Sequence, residues 1–253
     1  MTLAAPGDGA FEQAGSDLRM DWGERGVANL APTCGVLVVV DVLSFSTAVD
    51  VAIGRGASVL PLRWRDSRAA EAAARAGAVL ADRRRGAGWS LSPESLTTLE
   101  DRTLLALPSP NGATLCSLAA EHPATVLVGC PRNAIAVAAA AAAARSGRPV
   151  GVIAAGERWP DDTVRPAVED LLGTGAIVSA LRLVEPSISV SVEAATAATA
   201  FEAYADTLGP VLAGSVSGRE LRAAGFVADL ELAGCLDVSR SVPVLRDGVL
   251  RGA

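Results

Sequence analysis

Short apolar runs alternate with stretches of helical periodicity over most of the chain. DLRMDW predicts a first strand and GERGVANLA a short helix. From there the alternation is regular. VLVVVD, Val36 to Asp41, reads as a strand, and Ser46 to Arg55 as a helix. SVLPL from Ser58 is a strand, SRAAEAAARAG from Ser67 a helix, and AVLA from Ala78 a strand. A loop with Gly and Trp follows, through Ser92 and Pro93. RTLLAL from Arg102 then predicts a strand and NGATLCSLAA from Asn111 a helix. TVLVGC from Thr125 and PVGVIAAG from Pro149 are strands, with the helix PRNAIAVAAAAAAARSG between them. VRPAVEDLLGTGAIVSALRLV is a long helix whose first turn would contain Pro166. Strand-length runs with no polar face belong to strands covered on both sides. The expected fold class is therefore α/β, three-layer α/β/α with a mostly parallel sheet. The rest reads as a helical C-terminal portion up to GCLDVSRSVPVL. Without repeats or a Pro/Gly-rich linker, residues 1–253 are expected to form a single domain, with residues 1–16 loose.

Composition narrows the chemistry. The net charge is -6, and no basic stripe invites nucleic acid. Arg83, Arg84 and Arg85 are expected on a solvated loop. There is no lysine, which removes Schiff-base and Walker-type phosphate chemistry and a Ser–Lys pair. The only histidine, His122, reads as a connector residue, and no G-x-S-x-G elbow accompanies it. Cys34, Cys116, Cys130 and Cys235 form no C-x-x-C pair, so free thiols in a reducing cytoplasm are expected. MTLAAPGDGAFEQ lacks the features of a signal peptide. AIAVAAAAAAA is too short and alanine-rich to span a membrane. No membrane or nucleic-acid partner is expected.

In an open α/β sheet, ligands collect at the carboxyl ends of strands, beside helix N-termini. Asp41, Ser44, Ser46 and Thr47 follow the first core strand. Ser109, Pro110, Asn111 and Gly112 come next, then Cys130, Pro131, Arg132 and Asn133, and finally Gly156, Glu157 and Arg158. Asp, Ser, Thr and Asn are also the preferred helix caps, so each residue alone reads as a cap. Their recurrence at four strand ends points to an anion site. Glu169 and Asp170 suit the dipole of a helix start. Glu169, Gly173 and Ala176 also share a helical face, and small residues there would push the acid inward. A buried carboxylate needs a metal, a cation or hydrogen bonds. With Asp41 nearby, Mg²⁺ is the economical partner.

The order of these motifs resembles the 2-phosphosulfolactate phosphatase family. Its D-V-L-R-A-[ST]-[ST] strand end is similar to DVLSFST, Asp41 to Thr47, and its S-P segment to Ser92-Pro93. Its T-N-G-T turn resembles SPNGAT, with Asn111 and Gly112. Its G-x-x-x-N helix start resembles Gly129 to Asn133, and its A-G-R strand end Ala154 to Arg158. Its E-D-x-L-x-x-G-A helix resembles Glu169 to Ala176. A C-terminal G-x-x-x-D resembles Gly225 to Asp229, with LDVS and Val242-Pro243 after it. The resemblance runs from Val36 to Gly248. One departure stands out: the arginine of D-V-L-R is Ser44 here, which removes a guanidinium able to fork onto phosphate or sulfonate. Arg158, Arg132 and Arg165 are the candidate replacements.

The resemblance implies a Mg²⁺-dependent phosphatase of a small phosphorylated acid, associated with coenzyme M biosynthesis and cytoplasmic, with homo-oligomers possible. The implied metal ligands are drawn from Asp41, Glu169 and Asp170. Asp41 and Glu169 are the catalytic candidates. Ser44, Ser46, Thr47, Asn111, Gly112, Asn133 and Arg158 are the substrate-binding candidates. The alternative is a non-catalytic anion-binding module on the same fold. A haloacid-dehalogenase-type site is disfavoured by Leu43, where a second aspartate would stand, and by the missing lysine. No G-x-G-x-x-G follows a strand, which disfavours a dinucleotide site.

Overall fold

The computed structural model describes residues 10–84, 86 and 88–253. Residues 1–9, Arg85 and Ala87 lie outside the described residues. The strands of the main sheet are β1 (Leu18–Trp22), β2 (Val36–Val40), β3 (Ser58–Leu62), β4 (Val79–Leu80), β5 (Leu104–Pro108), β6 (Thr125–Val128) and β7 (Val150–Ala154). A separate antiparallel pair follows, β8 (Glu157–Arg158) with β9 (Val164–Arg165), and a hairpin of β10 (Pro243–Arg246) and β11 (Val249–Gly252) closes the chain. The helices are α1 (Gly23–Leu30), α2 (Phe45–Gly54), α3 (Ser67–Ala76), α4 (Gly112–Ala119), α5 (Ala134–Ala144) and α6 (Val168–Val184). The C-terminal portion adds α7 (Val192–Glu202), α8 (Leu208–Gly214), α9 (Val216–Ala223) and α10 (Val227–Ala233).

Nine strands form one sheet in the order β1-β7-β2-β6-β10-β11-β3-β5-β4. β1, β7, β2 and β6 are parallel, as are β3, β5 and β4. The C-terminal hairpin is the seam between these halves, antiparallel to β6 on one side and to β3 on the other. Of the N-terminal residues, Ala10–Glu12 form a 3-10 turn. The Gln13 side chain there donates from Nε2 to the Met20 carbonyl at 2.6 Å.

The side-chain period of two explains the layers. Val36, Val38 and Val40 of β2 join one core cluster with α5, α6 and α7, while Leu37 and Val39 join another with α1, α2 and α4. All five are fully buried. The alanine-rich α5 buries Ala134, Val137, Ala138 and Ala141, the spacing of one helical face. Among the described residues no helix is long and apolar enough to cross a membrane. All four cysteines are free, and burial pushes the Cys34 thiol up to about 11.

Two elements differ from the sequence expectation. The long helix starts at Val168 rather than Val164, because Val164–Arg165 pairs with Glu157–Arg158 and Pro166 precedes the helix. The second is the C-terminal hairpin, where the sequence expectation assigns no element. Its signal is nonetheless present: Asp247-Gly248 between two apolar runs, with φ of 51° and 76°, is the two-residue turn that favours Asp-Gly.

That turn gives a stability test. A Cβ on Gly248 would meet no atom within 4 Å, so Gly248→Ala probes backbone conformation alone. It should lower unfolding free energy by about 1 kcal/mol. Gly214→Ala in α8, equally free of contacts, should leave stability unchanged or raise it. Urea unfolding of the two variants checks this, and equal effects would refute the turn assignment.

Candidate active site

The first strand-end loop is closed by its own hydroxyls. Ser46 donates its N–H to the Asp41 carbonyl at 2.7 Å, and its Oγ accepts the Asp41 N–H at 2.7 Å. Thr47 Oγ1 donates to the Val42 carbonyl at 2.8 Å. Both side chains are buried, so these hydroxyls shape the loop between β2 and α2. The turn leaves Asp41 just past the strand, its carboxylate aimed at the N-terminus of α4. There Asp41 Oδ2 accepts the Gly112 N–H at 2.8 Å and the Ser109 hydroxyl at 3.4 Å. The Phe45 N–H also reaches it. A Cβ on Gly112 would overlap the Phe45 ring and come within 2.8 Å of Asp41 Oδ2, so this close approach requires glycine. In the sheet order β6, β10, β11 and β3 separate β2 from β5. The Gly112–Asp41 bond joins the two strand ends.

Three more acids face this point. Asp170, 3% exposed, accepts the Val42 N–H at 2.7 Å on one oxygen and the Gly156 N–H at 2.8 Å on the other. It ties the ends of β2 and β7 to the start of α6, and these bonds account for its burial without a metal. Glu169 is 2% exposed, and its Oε1 has no hydrogen-bond partner among the described residues. Gly173, one turn on, lets α6 approach β2: a Cβ there would stand 2.9 Å from Val40. Glu157 on β8 is fixed by Asn111, whose Nδ2 donates to it at 3.1 Å.

These carboxyls are crowded and dry. Burial, with a smaller contribution from the Glu169 charge, lifts Asp41 to about 6 despite its N–H partners. Burial and then the Asp41 charge lift Glu157 to about 7. Burial, then Asp41 and Glu169, raise Asp170 well above the usual carboxylate range. Among the described residues no three His, Cys, Asp or Glu side chains are grouped as a ready-made metal nest.

The arginines separate sharply. Arg158 is taken up in ion pairs with Glu24 and with Asp162. Successive strand residues point to opposite faces, so if Glu157 faces the acids Arg158 does not. Arg132 is bound to Asp50 at 2.8 Å along the C-terminal half of α2, lining a separate cavity. Asn133, fully buried, accepts the Cys130 N–H at 2.9 Å and donates to the Ser241 carbonyl at 3.1 Å, which makes it a cap. Arg165 lies over Trp159 and bonds the Ser217 hydroxyl at 3.3 Å, and its charge reaches Glu157.

The residue missing from the sequence reading is Arg84. It is not on a solvated face: its side chain is 25% exposed, and its Nη2 donates to the Ser44 hydroxyl. Beneath it lies Asp229 of α10, 1% exposed, which accepts the Ser92 hydroxyl at 2.5 Å and the Glu94 N–H at 3.0 Å. Two motifs 137 residues apart thus meet in one contact. Three consecutive arginines in a loop have no period to show which one turns inward, so no sequence signal marked Arg84.

The family model for 2-phosphosulpholactate phosphatase matches residues 27–248, most of the chain. The protein is a member of the 2-phosphosulpholactate phosphatase family. No curated protein matches the chain. The 2-phosphosulpholactate phosphatase match spans every strand end described above, from Asp41 to Asp229.

The raised acids predict a pH dependence. Below about pH 4 Asp41 is protonated folded and unfolded. Between the unfolded value of 3.8 and the folded value of about 6, the folded state holds a proton that the unfolded state has lost. Stability from this group therefore falls as pH rises through that window, then levels off. Glu157 extends the fall to about 7. In EDTA, the melting midpoint of Asp41→Asn should gain on wild type as pH goes from 4 to 8. A difference that stays constant with pH would refute the assignment.

Proposed function

We propose that the protein is a Mg²⁺-dependent phosphatase of a small anionic phosphate monoester, with 2-phosphosulfolactate as the first substrate to test. The observation that carries this is the buried, unpartnered Oε1 of Glu169 beside the raised carboxyl of Asp41. Burying a carboxylate oxygen without a partner is costly, and a cation removes the cost.

The donor set fits Mg²⁺. Hard carboxylate oxygens suit it, and Mg²⁺ commonly keeps its waters and uses only one or two carboxylates plus a substrate phosphate. Asp41 and Glu169 would hold the ion, which is consistent with there being no three-ligand nest among the described residues. Asp170, spent on two backbone N–H groups, positions the loops instead. When bound, Mg²⁺ supplies positive charge to a phosphoryl oxygen.

The chain's own residues do the rest. Gly112 and Phe45 hold Asp41 in place through their N–H groups. Asn111 orients Glu157, whose pKa of about 7 lets it accept a proton from an attacking water near neutral pH. Charge stabilisation and in-line positioning are most of what phosphoryl transfer requires. The alternative of a binding module without turnover is favoured by Ser44, since the motif position carries no guanidinium.

Phosphate release from 2-phosphosulfolactate and a panel of small esters, with Mg²⁺ and with EDTA, tests the reading. Release should need Mg²⁺. Asp41→Asn should lower it by at least about 100-fold, the scale of losing one electrostatic contact at a reacting centre, without lowering the melting midpoint. Wild-type turnover by Asp41→Asn sinks the site. No release from any ester by the folded wild type favours the binding module.

A further inference from the structure

Arg84 is a half-partnered guanidinium held against Ser44, three residues past Asp41. It comes from the loop after β4, not from the β2–α2 loop that it touches. Its Nη2 donates to Ser44 Oγ and, at 3.3 Å, to the Leu91 carbonyl. The ion pair with Asp229 is one-sided, with Nη2 3.7 Å from Oδ2. The guanidinium stands 5.0 Å from the centre of the Phe226 ring. Its Nε is buried and has no acceptor among the described residues.

Each contact orients the group and none saturates it. A guanidinium has five N–H donors in a planar fork, which matches two oxygens of a phosphoryl group. The charges of Asp41 and Glu157 reach Arg84, so the fork stands within the electrostatic field of the site. It also lines a cavity of about 730 Å³ with Arg65, Arg83, Leu91 and Pro108, at the carboxyl end of β5; Asp41 and Ser44 do not line this cavity, and Arg84 is the residue common to it and to the Ser44 contact. That size suits a small ligand. Asp66 and Asp82 lie on the same wall, but Asp66 is neutralised by Arg68 at 2.6 Å and Asp82 accepts the Arg83 N–H at 2.7 Å.

We propose that Arg84 is the substrate-binding arginine of this site, reaching across from its own loop to grip the phosphoryl oxygens beside Asp41. Ser44 is then the companion of that arginine: its small side chain leaves room for the guanidinium and its hydroxyl accepts a bond from it. An arginine at position 44 and Arg84 would compete for the same space. The proposal rests on the phosphatase reading for its substrate, but its test does not require turnover.

The experiment measures inorganic phosphate and sulfolactate binding by titration calorimetry, in parallel with Mg²⁺-dependent phosphate release. Wild type, Arg84→Gln, Arg84→Lys and the exchange variant Ser44→Arg/Arg84→Gln are compared. Arg84→Gln should weaken phosphate binding at least tenfold and raise KM for the ester. Arg84→Lys, which keeps the charge and loses the fork, should recover part of the affinity. The exchange variant, with a guanidinium restored beside Asp41, should recover more than Arg84→Gln alone. Unchanged phosphate binding in folded Arg84→Gln overturns the proposal. So does a loss confined to sulfolactate, which would place Arg84 on a different anionic group. A wild type that binds phosphate in an Arg84-dependent way yet hydrolyses no ester defeats the phosphatase reading and leaves the Arg84 assignment standing.

Discussion

Asp41, Glu157, Glu169 and Asp170 converge on the carboxyl ends of β2 and β7, and they cannot all be charged there without compensation. Much of the surrounding backbone is arranged to supply it. Val42 and Gly156 turn their N–H groups onto Asp170, and Gly112 and Phe45 turn theirs onto Asp41. Each of these bonds also fixes a loop, so the carboxylates that the site uses are the pins that hold its walls. Compensation stops at Glu169 Oε1, which has no hydrogen-bond partner among the described residues, and the proposed cation and the proposed Arg84 contact are two ways of completing it.

The C-terminal portion is tied to these same walls. α10 brings Asp229 beneath the Ser92–Glu94 turn, and that carboxylate organises two backbone or hydroxyl donors and the Arg84 charge. The hairpin beyond it is wedged between the parallel halves of the sheet, pairing with β6 and β3. The end of the chain thus completes both the sheet and the wall of the site.

A functional contrast follows from where the hydroxyls and amides of the strand ends went. Ser46 and Thr47 are consumed by their own loop, as cap residues commonly are, and Asn133 by the Cys130 N–H and the distant Ser241 carbonyl. Asn111 and Gly112 instead reach another element, orienting Glu157 and Asp41. Residues of the same chemical type at equivalent places in the topology therefore divide into loop-builders and site-builders. The division depends on which strand ends the tertiary structure brings together.

The sequence by itself determined the alternation of strands and helices, the parallel sheet with both faces covered, and the inward turn of Glu169. Those follow from local rules: a period of two or of 3.6, glycine where backbones touch, and apolar runs too short for anything but strands. It also carried the Asp-Gly signal of the last hairpin, which was legible but easily lost in a segment read as a tail. Only the tertiary structure decided that Glu157 takes the Asn111 amide while Arg158 pairs with Glu24 and Asp162, because the β8–β9 pairing fixes how this two-residue strand is presented. Only it decided that Arg84, among three consecutive arginines, meets Ser44. That choice is made by Asp229 and Phe226, more than a hundred residues away, and a long-range electrostatic and packing contact leaves no periodicity in the chain.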